Sequence, residues 1–239
     1  MSLLTIVQGA ALRCGLNQTV TSAYTSTDPE IQQLVAFATD TGVDLYKREG
    51  WRNIKLEAET IGDGTSTLFN LPPDWHRMCP TTRSPVGALI SLARPTIPLY
   101  GPINDEDLNQ LKALPAYVAY PVWRLVWGQL EIWPAIANGE VVKFWYFSSN
   151  WILNEDGVTR QGAWTADNNT SLIDEDCIMK GTIWRWKAAK GLDYAEAFRD
   201  YERAVDMSNG QEDTERVTAT STNVVNLDNF WPGIISYTS

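Results

Sequence analysis

Two segments near the start of the chain carry apolar residues at the spacing of an amphipathic helix. The first spans Leu3 to Leu16 and ends at a glycine stop signal, Gly15. The second is predicted from Pro29 to about Glu49, because Asp28 is a favourable N-cap and proline suits the first helical position. Gly42 weakens the middle of this second helix.

The pattern changes to short strands between residues 51 and about 153. Asp63-Gly64 predicts a hairpin turn between a strand at Trp51–Ile61 and a returning strand at Thr65–Leu71. A short helix is predicted over Asp105–Ala113. Further strands are predicted at Val86–Leu92, Val122–Trp127, Leu130–Trp133 and Glu140–Phe147. Together they favour an antiparallel meander.

Helical spacing returns near the C-terminus. A helix with a capping box of Ser171 and Asp174 is predicted to end at Gly191, and a second helix follows and fades into Ser208-Asn209-Gly210. Such a short connection favours an antiparallel pair. Thr214–Ser239 then lacks a helical period although it carries several large apolar residues. It is either an arm that docks on a partner or a tail packed on its own domain.

These elements predict an α+β fold. A helical bundle formed by the N- and C-terminal helices (1–50 and 165–213) receives an inserted antiparallel β-domain (51–164), and an extended C-terminal arm covers 214–239.

Composition narrows the functional classes. The 239 residues carry a net charge of −10, which argues against wrapping nucleic acid but suits a surface that DNA slides past. Three distant cysteines form neither a disulfide framework nor a zinc pattern. We expect no transmembrane helix and no secretory signal, since neither a long apolar run nor a basic leader occurs.

Few residues favour catalysis. The single histidine, His76, lies three residues before Cys79 and follows a Pro-Pro break, where it is either a turn residue or the base of a hydrolase. Asp174-Glu175-Asp176 either binds a divalent cation or caps a helix. Phosphate-loop and nucleophile-elbow motifs do not occur, and we expect neither a cofactor nor a metal.

Tryptophan is unusually frequent, with 11 residues. Trp123 and Trp127 are four positions apart on one predicted strand, and they serve as core, as a subunit contact or as a sugar-stacking platform. Trp184 and Trp186 are two apart on a helix, so they cannot share a face. At least one of this second pair is therefore expected to leave its own core or to meet a partner.

Several motifs resemble those of tailed-phage head-to-tail adaptors, also called head-completion or tail-tubular-type connector proteins. Leu172–Tyr194, followed by Tyr201-Glu-Arg-Ala, resembles the family's C-terminal helix pair. Phe69–Trp75 is similar to its strand and Leu-Pro-x-Asp element. Gly128–Pro134, followed by Val141–Tyr146, is similar to its Gly-x-Leu-x-Ile-x-Pro hairpin and next strand. The resemblance covers roughly residues 28–210.

The resemblance implies a structural virion protein without catalytic activity. Such adaptors form a homo-oligomeric ring, usually of twelve subunits, that joins the portal protein to the tail nozzle, tube or tail-completion protein. The ring extends the DNA channel without sequence-specific binding, and assembly takes place in the host cytoplasm. A carbohydrate-binding β module of a phage tail or of a secreted protein is the alternative.

Two groups of residues are candidates for these contacts. Docking on the portal or on a neighbouring subunit is assigned to the apolar arm residues and the helix tryptophans, namely Val224, Val225, Leu227, Phe230, Trp231, Ile234, Ile235, Trp184 and Trp186. The strand that is apolar on both faces is either central in its sheet or meets another subunit. Its ring-interface candidates are Val141, Lys143, Trp145 and Phe147.

Overall fold

The computed structural model describes residues 2–16, 19–80, 87–95, 98–113 and 121–221, and from 210 onward only the helical backbone. The fold is α+β, as predicted. The described helices are α1 (Leu3–Arg13), α2 (Pro29–Arg48), α3 (Asp105–Ala113), α4 (Glu175–Ala189) and α5 (Ala195–Ser221), with a 3₁₀ turn at Arg52–Ile54. The described strands are β1 (Lys55–Ile61), β2 (Leu68–Asn70), β3 (Trp75–Met78), β4 (Leu89–Ser91), β5 (Pro98–Leu99), β6 (Val122–Val126), β7 (Gln129–Trp133), β8 (Val141–Ser148), β9 (Ile152–Leu153), β10 (Arg160–Gln161) and β11 (Thr170–Ser171).

Aspartate caps set two of the helix starts. The Asp28 carboxylate accepts hydrogen bonds from the backbone N–H groups of Glu30 and Ile31, which confirms the predicted start of α2. At α4 the N-cap is Asp174, whose carboxylate accepts from the N–H of Asp176. The predicted capping box is wrong, because Ser171 lies in β11 and its hydroxyl accepts from the N–H of Ile173.

The helical core joins both ends of the chain. Helix α4 packs against α1, α2 and α5, so the N-terminal and C-terminal helices form one bundle. Gly181 on α4 lies directly against the buried side chain of Thr41 on α2. Trp151 and Trp164, which follow β8 in the chain, complete this core in an edge-to-face contact with ring centroids 5.2 Å apart.

The β region is built around β8. This strand pairs antiparallel with β1 on one side and with β3 and β4 on the other, and β4 also pairs with β5. A second sheet has the order β2-β7-β6, and a third small sheet has the order β10-β9-β11. The predicted meander is therefore wrong, because β1 pairs with a strand about 80 residues later rather than with its neighbour in sequence.

The predicted hairpin at Asp63-Gly64 is also wrong. The Asp63 carboxylate accepts hydrogen bonds from the backbone N–H groups of Thr65 and Ser66, which turns the chain away from β1. As a result β2 pairs with β7 in the second sheet. The turn signal was real, but local turn chemistry does not decide which strands pair.

Helix α5 continues well beyond its predicted end near Gly210 and reaches Ser221. A glycine inside a helix costs only about 1 kcal/mol relative to alanine, and helix-forming residues follow it. The first eight residues of the predicted extended arm, 214–221, are therefore helical. Helix α5 is about 40 Å long and α4 about 22 Å at 1.5 Å per residue, so α5 is much the longer member of the pair.

The polar stretch before α4 contains the third small sheet, which the sequence pattern did not predict. Asn169 is fully buried there, and its side-chain oxygen accepts hydrogen bonds from the backbone N–H groups of Thr165 and Ala166. The Asn169 amide donates to the side chain of Asn154, 3.0 Å away. The hydrogen bonds of the buried Asn169 side chain thus hold together a polar segment that has too few apolar residues for a helix or strand pattern.

Candidate interaction surfaces

The predicted docking arm lies largely outside the described residues. All seven of its apolar candidates follow Ser221, the last described residue, so their role stays a prediction.

Both helix tryptophans pack within the bundle. The ring of Trp184 contacts Phe198 and Tyr201 of α5 at centroid distances of 5.3 and 6.2 Å, and the guanidinium of Arg185 lies 4.7 Å from the Trp184 ring centre. Trp186 is buried in the helical core. Neither of them leaves the core, because three helices pack against α4. The other alternative, contact with a partner, stays a prediction, as does their role in docking.

Strand β8 is central in its sheet, which is one of the two explanations that the sequence analysis gave for a strand with apolar residues on both faces. Alternate side chains, Val142, Phe144 and Tyr146, are buried in the core of the β region. Phe147 is buried too, on the opposite face against the helical core, where the Arg77 guanidinium lies 4.6 Å from its ring centre. Trp145 is half-buried against the same core.

The remaining two ring-interface candidates on β8 are half-buried. The Lys143 amine donates to the Glu57 carboxylate across the β1–β8 pair, at 2.5 Å, and this contact raises the pKa of Lys143. Val141 pairs with Ile61, whose side chain is exposed. The four candidates alternate along one face of β8, and Val141 and Lys143 lie at the end of that face away from the helical core that covers Trp145 and Phe147.

Trp127 has the most exposed large apolar side chain among the described residues, at 92 %. It is not on a strand: β6 ends at Val126, β7 begins at Gln129, and Trp127 and Gly128 form the two-residue turn between them. Their φ angles are +50° and +74°, as a type I′ turn requires. The predicted pairing of Trp123 and Trp127 on one strand face is wrong, since Trp123 is buried beneath the hairpin.

The predicted strands Val122–Trp127 and Leu130–Trp133 leave Gly128-Gln129 as the turn, one residue later than the turn in the structure. A glycine between two apolar strands fits either position of a two-residue turn. The paired register of Val126 with Gln129 shows that Trp127 takes the first position, which normally favours asparagine, aspartate or glycine.

His76 packs against an aromatic ring. Its imidazole meets Tyr46 of α2 edge-on, with centroids 5.1 Å apart. Partial burial lowers the pKa of His76, and the nearby cations of Arg77 and Lys47 lower it further. The Cys79 thiol donates to the Pro80 carbonyl at 3.4 Å. In these contacts His76 and Cys79 pack against their neighbours. A cysteine nucleophile would need a hydrogen bond to its histidine base, and the Cys79 thiol instead donates to a carbonyl.

The acidic triplet at the start of α4 has helix-terminal partners. Asp174 caps the helix, and Asp176 forms an ion pair with Lys180 one turn later, at 2.6 Å. Over the described ranges, no cluster of three or more His, Cys, Asp or Glu side chains is placed to hold a metal ion.

Two acidic residues within the family-like motifs tie elements together. The Asp74 carboxylate accepts hydrogen bonds from the Tyr146 hydroxyl at 3.0 Å and from the buried Ser148 hydroxyl at 2.6 Å, which joins the Leu-Pro-x-Asp element to β8. Glu131 on β7 is buried and binds Arg124 at 2.6 Å and Lys112 of α3 at 2.9 Å. Burial alone would raise the pKa of Glu131, but these two cations outweigh it and the pKa is lowered.

Comparisons with known proteins give no family for this chain: no protein-family model matches it, and no curated protein does. Within the described residues, no helix is long and apolar enough to cross a lipid bilayer.

Proposed function

We propose that this chain is a head-to-tail adaptor of a tailed bacteriophage, a structural protein without catalytic activity. Copies of it form a ring between the portal protein and the tail nozzle, tube or tail-completion protein. The genome passes through the ring without sequence-specific binding. Assembly takes place in the host cytoplasm, and the protein ends in the neck of the virion.

One observation carries the proposal: helices from both ends of the chain close into a single bundle around α4, and the β region is inserted between them. The motif resemblance implies this same architecture. The bundle contains helices from before and after the β region, so it forms a fixed base. From this base the β region and the C-terminal arm can contact two different proteins of the neck.

The motif residues support the proposal through their structural roles. Asp74 joins the Leu-Pro-x-Asp element to β8, and Glu131 joins the Gly-x-Leu-x-Ile-x-Pro hairpin to α3. Both contacts link different elements of the fold. The resemblance therefore falls on residues that hold the fold together.

The net charge of −10 agrees with a channel protein. A wall with excess carboxylate repels the DNA backbone, which lets the genome slide without adhering. It also disfavours the alternative in which the protein wraps nucleic acid.

The test is the mass of the purified chain, alone and mixed with the portal protein of the same phage, measured by light scattering during gel filtration. We expect a species of many copies of the 26.8 kDa chain in at least one of the two samples. A monomer in both samples, with no complex, would overturn the proposal.

A carbohydrate-binding module remains the second candidate because of one residue, Trp127, whose indole is exposed enough to stack on a sugar ring. Titration with oligosaccharides while tryptophan fluorescence is recorded tests it. Saturable quenching that disappears in Trp127→Asn supports sugar binding, and an unchanged spectrum at millimolar sugar contradicts it.

A further inference from the structure

The turn of the β6–β7 hairpin exposes the indole of Trp127 and holds its backbone in an unfavourable conformation. Trp127 has a φ of +50°, a left-handed conformation that bulky residues rarely adopt, and its side chain is 92 % exposed. Neither the backbone strain nor the exposure stabilises this chain by itself. A strained and exposed tryptophan at the tip of a hairpin is a candidate contact for another molecule.

The hairpin holds this tryptophan rigidly. Its strands pair without interruption from Val122 and Trp133 to Val126 and Gln129 at the turn. Beneath it, Trp123 is buried, and Arg124 binds Glu131 across the two strands. Leu125, 39 % exposed, adds a second apolar group near the tip. A preordered aromatic anchor loses little conformational entropy on binding, which is typical of interface hot spots.

The chemistry of the tip favours a protein surface. The turn residues Trp127 and Gly128 are uncharged, and the nearest cation on the hairpin, Arg124, is engaged by Glu131 and Asp105. A membrane surface would call for basic residues beside the tryptophan, and the chain as a whole is acidic. The Gln129 amide donates to the side chain of Asn70, so it is already used within the chain.

A receptive surface of matching chemistry lies at the turn between α4 and α5. We call it the aromatic patch, and it consists of Trp184, Leu192, Tyr194 and Phe198. The side chains of Leu192, Tyr194 and Phe198 are 50 %, 46 % and 40 % exposed. Half-buried Trp184 lies behind them, with ring centroids 6.3 Å from Tyr194 and 5.3 Å from Phe198. Since Trp127 and this patch are both exposed, they do not cover each other within one chain.

We propose that the Trp127 hairpin tip of one copy seats on the aromatic patch of a second copy. This inference rests on the proposed ring and names the contact that builds it. The two surfaces belong to different elements of the chain, so the contact is head-to-tail, and a head-to-tail contact closes into a ring when the rotation between copies allows it. The aromatic edges around the patch suit an indole better than an aliphatic side chain.

The first experiment replaces Trp127 by asparagine, which is well suited to the left-handed conformation and removes the aromatic anchor. The matched control is Val158→Asn, the same kind of change at another exposed turn residue. Masses are measured alone and with the portal protein. We expect rings from the wild type and Val158→Asn, and at least a tenfold loss of ring in Trp127→Asn with its melting temperature not lowered.

The outcomes separate the two proposals. Full ring formation by Trp127→Asn overturns the hairpin contact and leaves the adaptor function standing. A wild-type chain that is monomeric with and without the portal protein overturns both. Loss of the ring in Val158→Asn as well as in Trp127→Asn also overturns the specific contact.

A second experiment locates the receiving surface. A benzophenone amino acid at position 127 keeps the aromatic bulk and crosslinks to its neighbour under ultraviolet light. Trypsin cuts after Lys190 and Arg199, so we expect the crosslinked peptide between two copies to be Gly191–Arg199, which carries three of the four patch residues. A crosslink to Gly181–Arg185, the tryptic peptide that carries Trp184, also supports the assignment. Crosslinking to any other peptide of this chain, or to added oligosaccharide, overturns it.

Discussion

Gly42 on α2 lies directly against the indole ring of Trp151, so that a β-carbon at position 42 would overlap the ring. Trp151 follows the central strand of the β region, whereas Gly42 is in the middle of an N-terminal helix. Glycine at position 42 lowers the helix propensity of α2. Its missing side chain, however, leaves the space that the indole of Trp151 fills between the helices and the β region.

We expect Gly42→Ala to destabilise the protein by about 1–3 kcal/mol, the usual cost of overpacking a buried site. Trp151 is fully buried, so the overlap falls inside the core. Urea unfolding measures the loss. Gly9→Ala is the matched control, because the added methyl group would meet two flexible side chains, with the Met179 sulfur 2.7 Å and an Arg13 guanidinium nitrogen 3.2 Å away. Equal losses in the two variants would contradict this explanation.

Asp74→Ala removes the acceptor for two hydroxyl groups of β8. Ser148 is fully buried and Tyr146 nearly so, and we expect a loss of about 2–3 kcal/mol because their donors are left without partners. Tyr146→Phe should cost about 1 kcal/mol, and the double variant less than the sum. Exposed Asp206→Ala is the control. Strict additivity in this cycle would show that the two residues are not coupled.

The pH dependence of stability should contain a contribution from Asp167. Burial alone would raise the pKa of this carboxyl, but hydrogen bonds from the Ser22 hydroxyl and the Tyr24 and Ala23 N–H groups outweigh it and lower the pKa. The unfolded chain then binds the proton more tightly. The stabilisation is full above the ordinary value near 3.8 and is lost as the pH falls through the lower folded value.

Unfolding of the wild type and Asp167→Asn by urea between pH 7 and pH 2 measures this contribution. The free-energy difference between the two proteins should be largest near neutral pH and should shrink in acid. A difference that grows as the pH falls would contradict the assigned sign.

Trp127→Asn should leave the monomer as stable as before or raise its stability by up to about 1 kcal/mol. The change relieves the left-handed strain, and the exposed indole contributes little burial to lose. Thermal unfolding at a concentration where the chain is monomeric measures this. A clear fall in the melting temperature would show that the indole packs within its own chain.

Removal of residues 222–239 distinguishes a docking arm from a tail packed on its own domain. The buried residues of the two described cores lie between Leu3 and Val205. A docking arm can therefore be deleted with an unchanged melting temperature but with loss of portal binding in a pull-down. A tail packed on its own domain would show the reverse, namely a lower melting temperature with binding retained.

Local signals in the sequence were sufficient for the start of α2, the α+β class and the approximate position of six of the eleven described strands. Asp28-Pro29 begins α2, Asp105–Ala113 is helical, and the two-faced apolar strand is central, because capping and periodicity act over a few residues. The segments on either side of the β region were also recognisable as helical, which is why the bundle with an inserted β region could be predicted.

Tertiary structure alone decided which strands pair and which side chains remain exposed. β1 joins β8 rather than β2, since pairing depends on which apolar faces must be buried together across the whole chain. Trp123 and Trp127 are the same residue type four positions apart, yet one is buried and the other is at a turn tip. A shift of one residue in the position of the β6–β7 turn would place Trp127 on the strand, and only the packed hairpin sets that position.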